Sequence, residues 1–525
     1  LFLQNQNTVQ QLTVGTTIAN NGTGVVNVRT TGPGTTIFTG TNSYTGDTLI
    51  GSGTLALGDG GITGELGGGT VTIEGSGTLA FNRSDTALNV ANQITGNGVV
   101  TQIGSGTTTL SGSSSGSALS FVMAAGTLAT GVDDAINTTG SLIFGATYGG
   151  TETGALDLTN GGVTAGGLLV QTNTVAANQI TIGVGKTLTV NGDVTIGVNI
   201  ANDTNSALAI SGGGSFVVNR AGGTFQVGGA TGTVNGNKAV LDMSGLGAFT
   251  ANMGTTGVFR VGDSNSNSAG TGNALTTVTL AADSTITAGS IGVGDHQGIP
   301  NGAQTLNLGT GTNILNADLI HVGDLFGNRG TGVLQFADTT GTLIVRGSDG
   351  SSRSSMNVVN SVSGTGFSFS GTVDLAGHDA DLLLDALVIG RRTSGTGGAT
   401  AAFTFDTGTL DVNSVVLGYK TGAGGASTVS GTMNIGGGTV AIGAGGISMA
   451  SNGGTTASTA AGTLNFTGGI ISVDGDIVHE GATGAGNTTA TLNLGGTASL
   501  DMLGHSIGDA TNPIALTIAS GTLAN

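Results

Sequence analysis

Thr463 to Val478 reads Thr-Leu-Asn-Phe-Thr-Gly-Gly-Ile-Ile-Ser-Val-Asp-Gly-Asp-Ile-Val, three short runs in which apolar and polar residues alternate, parted by Gly-Gly and by Asp-Gly. Alternation with period two belongs to a strand with one face buried, and the glycine pairs mark sharp turns. The segment therefore predicts three strands and the corners between them, one turn of a coil. Its first strand returns at Leu306 with Leu308, Leu334 with Phe336, Phe403 with Phe405, Met433 with Ile435, and Leu492 with Leu494.

A second phrase repeats through the same half of the chain: apolar, any residue, apolar, glycine. Phe225 with Val227, Phe259 with Val261, Ile291 with Val293, Ile320 with Val322, Leu387 with Ile389, and Val415 with Leu417 each precede a glycine, at Gly228, Gly262, Gly294, Gly323, Gly390 and Gly418. The glycine intervals are 34, 32, 29, 67 and 28, the 67 being close to two periods, so a unit of roughly 30 residues recurs. The paired residues point to one face and are uniformly apolar, as an inner face requires. The residues between them, Gln226, Arg260, Gly292, His321, Val388 and Val416, are mixed and are expected outside. The glycines are expected at corners, where a positive φ turns the chain onto the next face.

No segment long enough for a crossover helix intervenes, which excludes α/β architectures. The fold class predicted is all-β, a right-handed parallel β-helix, or β-solenoid, of about three short strands per coil, with the hand taken from the rule for parallel crossovers. About seventeen coils at the ~4.8 Å strand spacing give an expected rod on the order of 80 Å long.

Composition agrees with repetition of a small unit. A chain of 525 residues is beyond the size at which a single core keeps growing. Glycine is 103 residues against 3 prolines without a Gly-X-Y period, which excludes collagen. Disorder is disfavoured because 37% of residues are apolar and 8% charged. A net charge of −18 would repel a phosphate backbone, so nucleic acid is not an expected partner. The absence of cysteine removes disulfides and thiolate metal sites. The chain begins at Leu1 and shows neither a signal-sequence pattern nor a long apolar run nor a terminal set of amphipathic barrel strands. The expectation is a processed product or fragment with no membrane insertion of its own.

The first part words the same architecture differently. Thr35 to Gly58 reads TTIFTGTNSYTGDTLIGSGTLALG, and Gly98 to Gly112 reads GVVTQIGSGTTTLSG. These resemble the autotransporter-associated β-strand repeat of bacterial passenger domains. The turn Asn42-Ser43-Tyr44-Thr45-Gly46 and the strand start Gly53-Thr54-Leu55 keep that family's relative spacing, and the resemblance covers roughly residues 20 to 131. In the second copy, Ser111 to Phe121 replaces the asparagine-tyrosine turn with a serine-rich stretch. The resemblance implies secretion, a right-handed β-helix, and a place outside the cell or on the surface of a Gram-negative-type bacterium. It implies no particular ligand. Residues 1–150 are read as coils of this repeat and 151–525 as a continuation of the same solenoid, with a loop insertion at 347–365 that includes Gly347 to Ser355 (GSDGSSRSS).

Candidate chemistry is sparse. Asp133-Asp134 is the one adjacent acidic pair; a polysaccharide lyase or hydrolase on a β-helix would need such carboxylates, but no companion Arg-x-Lys or Gly-His-Gly segment accompanies it, and a solvated turn is the plainer reading. Gly262-Asp263-Ser264 resembles a serine-protease nucleophile segment, yet Gly262 already has a place as a corner. Asp263, Asn265 and Asn267 match the start of a calcium loop, but Ser268 and Ala274 stand where glycine and glutamate belong. The five histidines, at 296, 321, 378, 479 and 505, show no metal-pair spacing. His321 and His479 are both placed on the outward, solvated position, and Glu480 on the inward position held by Val322, at an opened corner. The threonine pairs Thr187 with Thr189 and Thr285 with Thr287 would suit an ice-binding face only if coil length were constant, which it is not. No catalytic residue, no cofactor and no metal is expected.

Leu1-Phe2-Leu3 and Ile514 to Leu523 read as ordinary coil strands, leaving an open ladder at either end. The function expected is that of an extracellular structural protein, a rod or fibre that self-associates end to end or continues within a longer chain. The second reading is an adhesin whose outward loops bind a glycan or matrix ligand.

Overall fold

The structure, a computed structural model, describes the chain apart from residues 198–204, 229–237, 263–274, 295–301, 324–329, 363–367, 423–426 and 456. Among the described residues there are 44 strands and no helix, and the ladders between strands run parallel. The chain is a parallel β-solenoid in two compact units. One comprises Leu1–Ile200, Thr204–Arg220 and Leu241–Ala248; the other comprises Ala201–Asp203, Ala221–Val240 and Phe249–Asn525.

Over residues 141–190 of the first unit three separate strands make a coil. Ser141–Phe144 pairs with Gly167–Val170 one coil on, Ala155–Leu158 with Asn178–Ile182, and Val163–Ala165 with Thr187–Val190. The Asn-Ser-Tyr-Thr-Gly turn shows why its residue types matter. The Asn42 side chain accepts from the Ile18 amide at 2.8 Å and donates to the Glu65 carbonyl at 2.7 Å, so it joins the coils on either side of its own. Tyr44 is wholly buried, and its hydroxyl meets Thr48 Oγ1 at 2.7 Å. A buried phenol needs such a partner.

In the second unit the three faces persist, but corners are often bridged by continuous strand. Thr459–Val473 spans two faces, pairing with Asn487–Leu494 on one and Ser499–Asp501 on the next, while Ile477–Ala482 forms the third. Inward residues stack in columns. Val278, Leu306, Leu334, Val373, Phe403, Met433, Leu464 and Leu492 succeed one another in register, all buried. Phe225 stacks on Phe259 with centroids 4.7 Å apart. Each fully buried side chain of this size contributes roughly 1.5–3 kcal/mol, and in a solenoid these contributions add coil by coil. Outside the same face, Asn465 donates to Asn434 and Asn493 to Asn465, each at 2.8 Å, a ladder of side-chain amides parallel to the backbone one.

The paired apolar residues expected on the inner face are all buried, at 0–1% exposure: Phe225 and Val227, Phe259 and Val261, Ile291 and Val293, Ile320 and Val322, Leu387 and Ile389, Val415 and Leu417. Their second members are in register where the coils adjoin. Val227 pairs with Val261, Val293 with Val322, and Ile389 with Leu417, so each caps its column just before the corner. The six glycines that follow have φ of 73° (Gly228), 114° (Gly262), 79° (Gly294), 109° (Gly323), 74° (Gly390) and 64° (Gly418). The coil hidden in the interval of 67 carries Met356 and Val358, paired with Ile320 and Val322 on one side and with Leu387 and Ile389 on the other. Its corner residue is Val359, which keeps the left-handed conformation at φ 58°. A later coil, with Ile447 and Met449 inward, turns at Ala450 with φ 52°. Both residues take up a conformation that glycine adopts without penalty and other L residues adopt at a cost.

Two placements differ from the sequence reading. His321 does lie outside the inward columns, but it is 3% exposed. The coil beneath it has Gly292 in register, with no side chain to hold the imidazole off, and a β-carbon there would be 2.7 Å from His321 Cε1. The ring lies down on the glycine and is covered. His479, not Glu480, holds the inward position: it pairs with Met449, is buried, and its Nδ1 is 2.8 Å from the Pro513 carbonyl, while Glu480 is exposed. The positive-φ glycine, Gly481, comes one residue later here than in the coils beneath, so counting back from it shifts the phase by one.

Candidate functional site

The stretch 347–365 resolves into distinct parts. Gly347–Arg353 is a compact turn, Ser354–Ser361 is a strand within the ladder, and 363–367 lie outside the described residues. The turn is built from its own sequence. Asp349 accepts from the amides of Ser351 at 2.8 Å and Ser352 at 2.7 Å, and the Gly347 amide donates to the Ser352 carbonyl at 2.7 Å. Those backbone donors favour the ionised carboxyl and push its pKa down to about 2.

Neighbouring coils hold the turn in place. The Ser348 amide donates to Asp318 Oδ1 at 3.0 Å on the preceding coil. Arg353 reaches forward to Asp411, 58 residues on, with two N–H···O contacts of 2.9 Å, and its other terminal nitrogen donates to the Leu384 carbonyl at 2.8 Å. One terminal nitrogen is thus shared between both carboxylate oxygens while the other serves the carbonyl, so the planar guanidinium ties the turn to two coils at once. The result is an outward element of serine hydroxyls on a fixed frame. Sequence reasoning located the turn but not Asp318 or Asp411, because partners one and two coils away carry no local spacing signal.

Asp133 and Asp134 lie in an exposed turn of the first unit. Asp133 Oδ1 accepts from the Gly162 amide at 2.7 Å and from Lys186 Nζ at 2.9 Å. The Gly162 amide, then Lys186, hold its pKa below the usual range, which is the reverse of what a proton-donating carboxyl requires. Asp263, Asn265, Asn267, Ser268, Ala274 and His296, named above for protease, calcium or metal chemistry, lie outside the described residues. His378 stacks on Phe336 at 3.8 Å between centroids, and His505 faces Asp474 and Asp476 at 3.4 and 3.7 Å. Among the described residues no three His, Asp or Glu side chains gather as a metal site would require, and no helix is long and apolar enough to cross a membrane.

Over 86 residues, 16% of this chain and 2% of the relative, the sequence is 42% identical to the adhesin BmaC autotransporter of Brucella suis biovar 1 (strain 1330). The matched stretch is thus a small part of that protein. No protein-family model and no solved structure matches the chain.

Proposed function

We propose that this chain is part of the extracellular passenger of a Gram-negative bacterial autotransporter, a β-solenoid whose work at the cell surface is structural and adhesive. The observation that carries the reading is the parallel coil-on-coil pairing within each unit, joined to the likeness to an adhesin autotransporter. Such a ladder transmits load through backbone hydrogen bonds and needs no cofactor. The reading is non-enzymatic, and the ionised, lysine-paired state of Asp133 is consistent with it.

Part of this proposal is end-to-end continuation. Ala515–Ile518 pairs on one side with Asn487–Leu494, while Leu516 and Ile518 stand 42% and 49% exposed. A further coil, from a longer chain or a second copy, would cover them. Electron microscopy of the purified chain at several concentrations tests stacking: filaments with a layer line near 4.8 Å support it. Discrete particles at every concentration sink the stacking part and leave the adhesive one.

The fixed turn at Gly347–Arg353 favours a second reading, an adhesin that presents this turn to a host or matrix glycan. Replacement of Ser348–Ser352 by a two-residue turn should then abolish adhesion of coated beads to matrix. Undiminished adhesion would remove the turn from the binding surface.

A further inference from the structure

In the first unit Ile136, Val163 and Leu188 stack in register, and outside them Asn137, Thr164 and Thr189 do the same. The turns that lead into these three strands are unequal. The first carries Asp133 and Asp134, the second ends on Gly161 and Gly162 after Thr159 and Asn160, and the third carries Gly185 and Lys186. Two bare residues between two turns with side chains leave a notch of about 240 Å³, open to solvent, rimmed by Asp133, Asp134 and Lys186 and walled by Thr164, Thr187 and Thr189.

Backbone packing keeps the notch bare. A β-carbon on Gly161 would lie 1.9 Å from the Val132 carbonyl oxygen, so no other residue fits. One on Gly162 would lie 3.0 Å from the Thr187 carbonyl oxygen and 3.6 Å from Asp133 Oδ1, and a longer side chain would grow into the space. The rim is fixed as well. Lys186 spans the glycine turn to reach Asp133, 53 residues earlier, at 2.9 and 3.2 Å. Asp134 is held at φ 60°, with Asn137 Nδ2 donating to its carboxylate at 3.1 Å. A left-handed aspartate costs on the order of 1 kcal/mol, and such outliers gather at ligand sites.

The lining selects a class of ligand. Two carboxylates against one ammonium disfavour an anion, and Val163 alone offers no apolar floor. What remains is a set of acceptors, one cationic donor and three hydroxyls, which matches a ligand whose every group both donates and accepts. The volume lies below the ~300–1,000 Å³ of drug-sized pockets and is open at the rim, so one ring of a longer chain fits. We infer that this notch is a subsite for one ring of a neutral saccharide. The inference deepens the adhesive reading and rests on it.

The test titrates the intact chain with glucose, galactose, mannose and N-acetylglucosamine, their disaccharides, and glucuronic acid as the acidic probe, by ligand-observed nuclear magnetic resonance and calorimetry, beside matrix adhesion of the same samples. At least one neutral sugar should bind. Lys186→Met should weaken it about tenfold, the loss expected for one charge-assisted hydrogen bond, and Thr189→Val should weaken it several-fold. Gly162→Val should abolish it, with circular dichroism to confirm an unchanged fold; the two side-chain variants decide the matter if it does not fold. Binding that is equal in both of those variants, binding of acidic sugars only, or no sugar binding at all would each overturn the subsite. If adhesion persists while the subsite fails, the adhesive reading stands. If the unaltered chain adheres to nothing, that reading falls as well.

Discussion

The corner positions give the sharpest physical test. Gly418 and Ala450 occupy the same corner one coil apart, since Leu417 pairs with Met449, and both are left-handed, at φ 64° and 52°. They differ in surroundings. A β-carbon on Gly418 would lie 2.0 Å from the Ala461 carbonyl oxygen and 2.4 Å from its carbon, and both atoms belong to the backbone and cannot swing away. Gly418→Ala therefore adds a left-handed penalty of about 1–2 kcal/mol and an overpacking cost of about 1–3 kcal/mol, together about 2–5 kcal/mol. Ala450→Gly removes the first penalty but loses a buried methyl of about 0.8 kcal/mol and adds backbone entropy of about 0.5–1 kcal/mol, leaving a net change within about 1 kcal/mol. Repeat proteins open locally, so native-state hydrogen exchange is the suitable assay. Amides of Thr407–Lys420 should exchange about thirtyfold faster or more in Gly418→Ala, at ~1.4 kcal/mol per tenfold, with Ser141–Phe144 as an unaffected control. A change below threefold, or an equal loss in Ala450→Gly, would refute the argument that backbone approach, and not φ alone, decides which corners must be glycine.

Three further outcomes are expected. His321 is buried beside the charge of Arg260, and burial, with that charge second, lowers its pKa to about 4 from an ordinary value of 6.5. The unfolded chain therefore binds the proton first. Stability is full above the unfolded pKa, falls as pH drops from about 6.5 towards 4, and the loss totals about 3 kcal/mol; exchange of the Ile320–Val322 amides, corrected for intrinsic rate, should show this slope and lose it in His321→Asn. Asn42→Ala strips the Ile18 amide and the Glu65 carbonyl of their partner and should cost about 1–3 kcal/mol, read as a lower denaturant midpoint for the first unit. Arg353→Met should alter overall stability by less than about 1 kcal/mol, because the pair with Asp411 is partly exposed, yet it should speed proteolytic cutting within Gly347–Ser352; an unchanged cutting rate would show that Asp349 and Asp318 hold the turn without it.

Much of the fold was legible because a parallel ladder repeats its own local pattern. Period-two alternation placed the inward pairs at Phe225 with Val227 and their counterparts, and glycine marked the corners wherever glycine stands. Legibility failed where the repeat is kept in conformation but not in residue type. Val359 and Ala450 turn the chain as the glycines do, so their coils lacked the signal that identified the others. Counting back from Gly481 puts His479 one residue out of phase, because that glycine is displaced relative to the ladder, which is set by Ile477 on Ile447. The burial of His321 depends on the missing side chain of Gly292, one coil beneath it. Pairs such as Asp133 with Lys186 and Arg353 with Asp411 join residues two coils apart, a distance in sequence fixed by the coil length and by nothing local.

A surface of stacked identical rungs presents the same chemistry at each level, as the Asn434, Asn465 and Asn493 ladder does, and its polar groups already satisfy one another. Such rows stiffen the face but leave little with which to select a partner. Selectivity requires a rung that breaks the repeat while the backbone register continues. Among the described residues, Gly161–Gly162 and Gly347–Arg353 are two places that meet that condition. Gly161 and Gly162 withdraw the side chains between Asp134 and Lys186, while the strand beyond keeps its pairing with both neighbours. Gly347–Arg353 adds a turn that Asp318 and Asp411 tie to intact coils. In both cases the irregular element is held by charged side chains drawn from other coils, in a chain that has only 12 lysines and arginines. Fixing these exposed elements gains little global stability, because exposed ion pairs contribute about 1 kcal/mol or less. The gain is pre-organisation, which lowers the entropy lost when a ligand binds. Lys186 and Arg353 are two of those cations, and the pre-organisation they give the interruptions is what the adhesive proposal calls for.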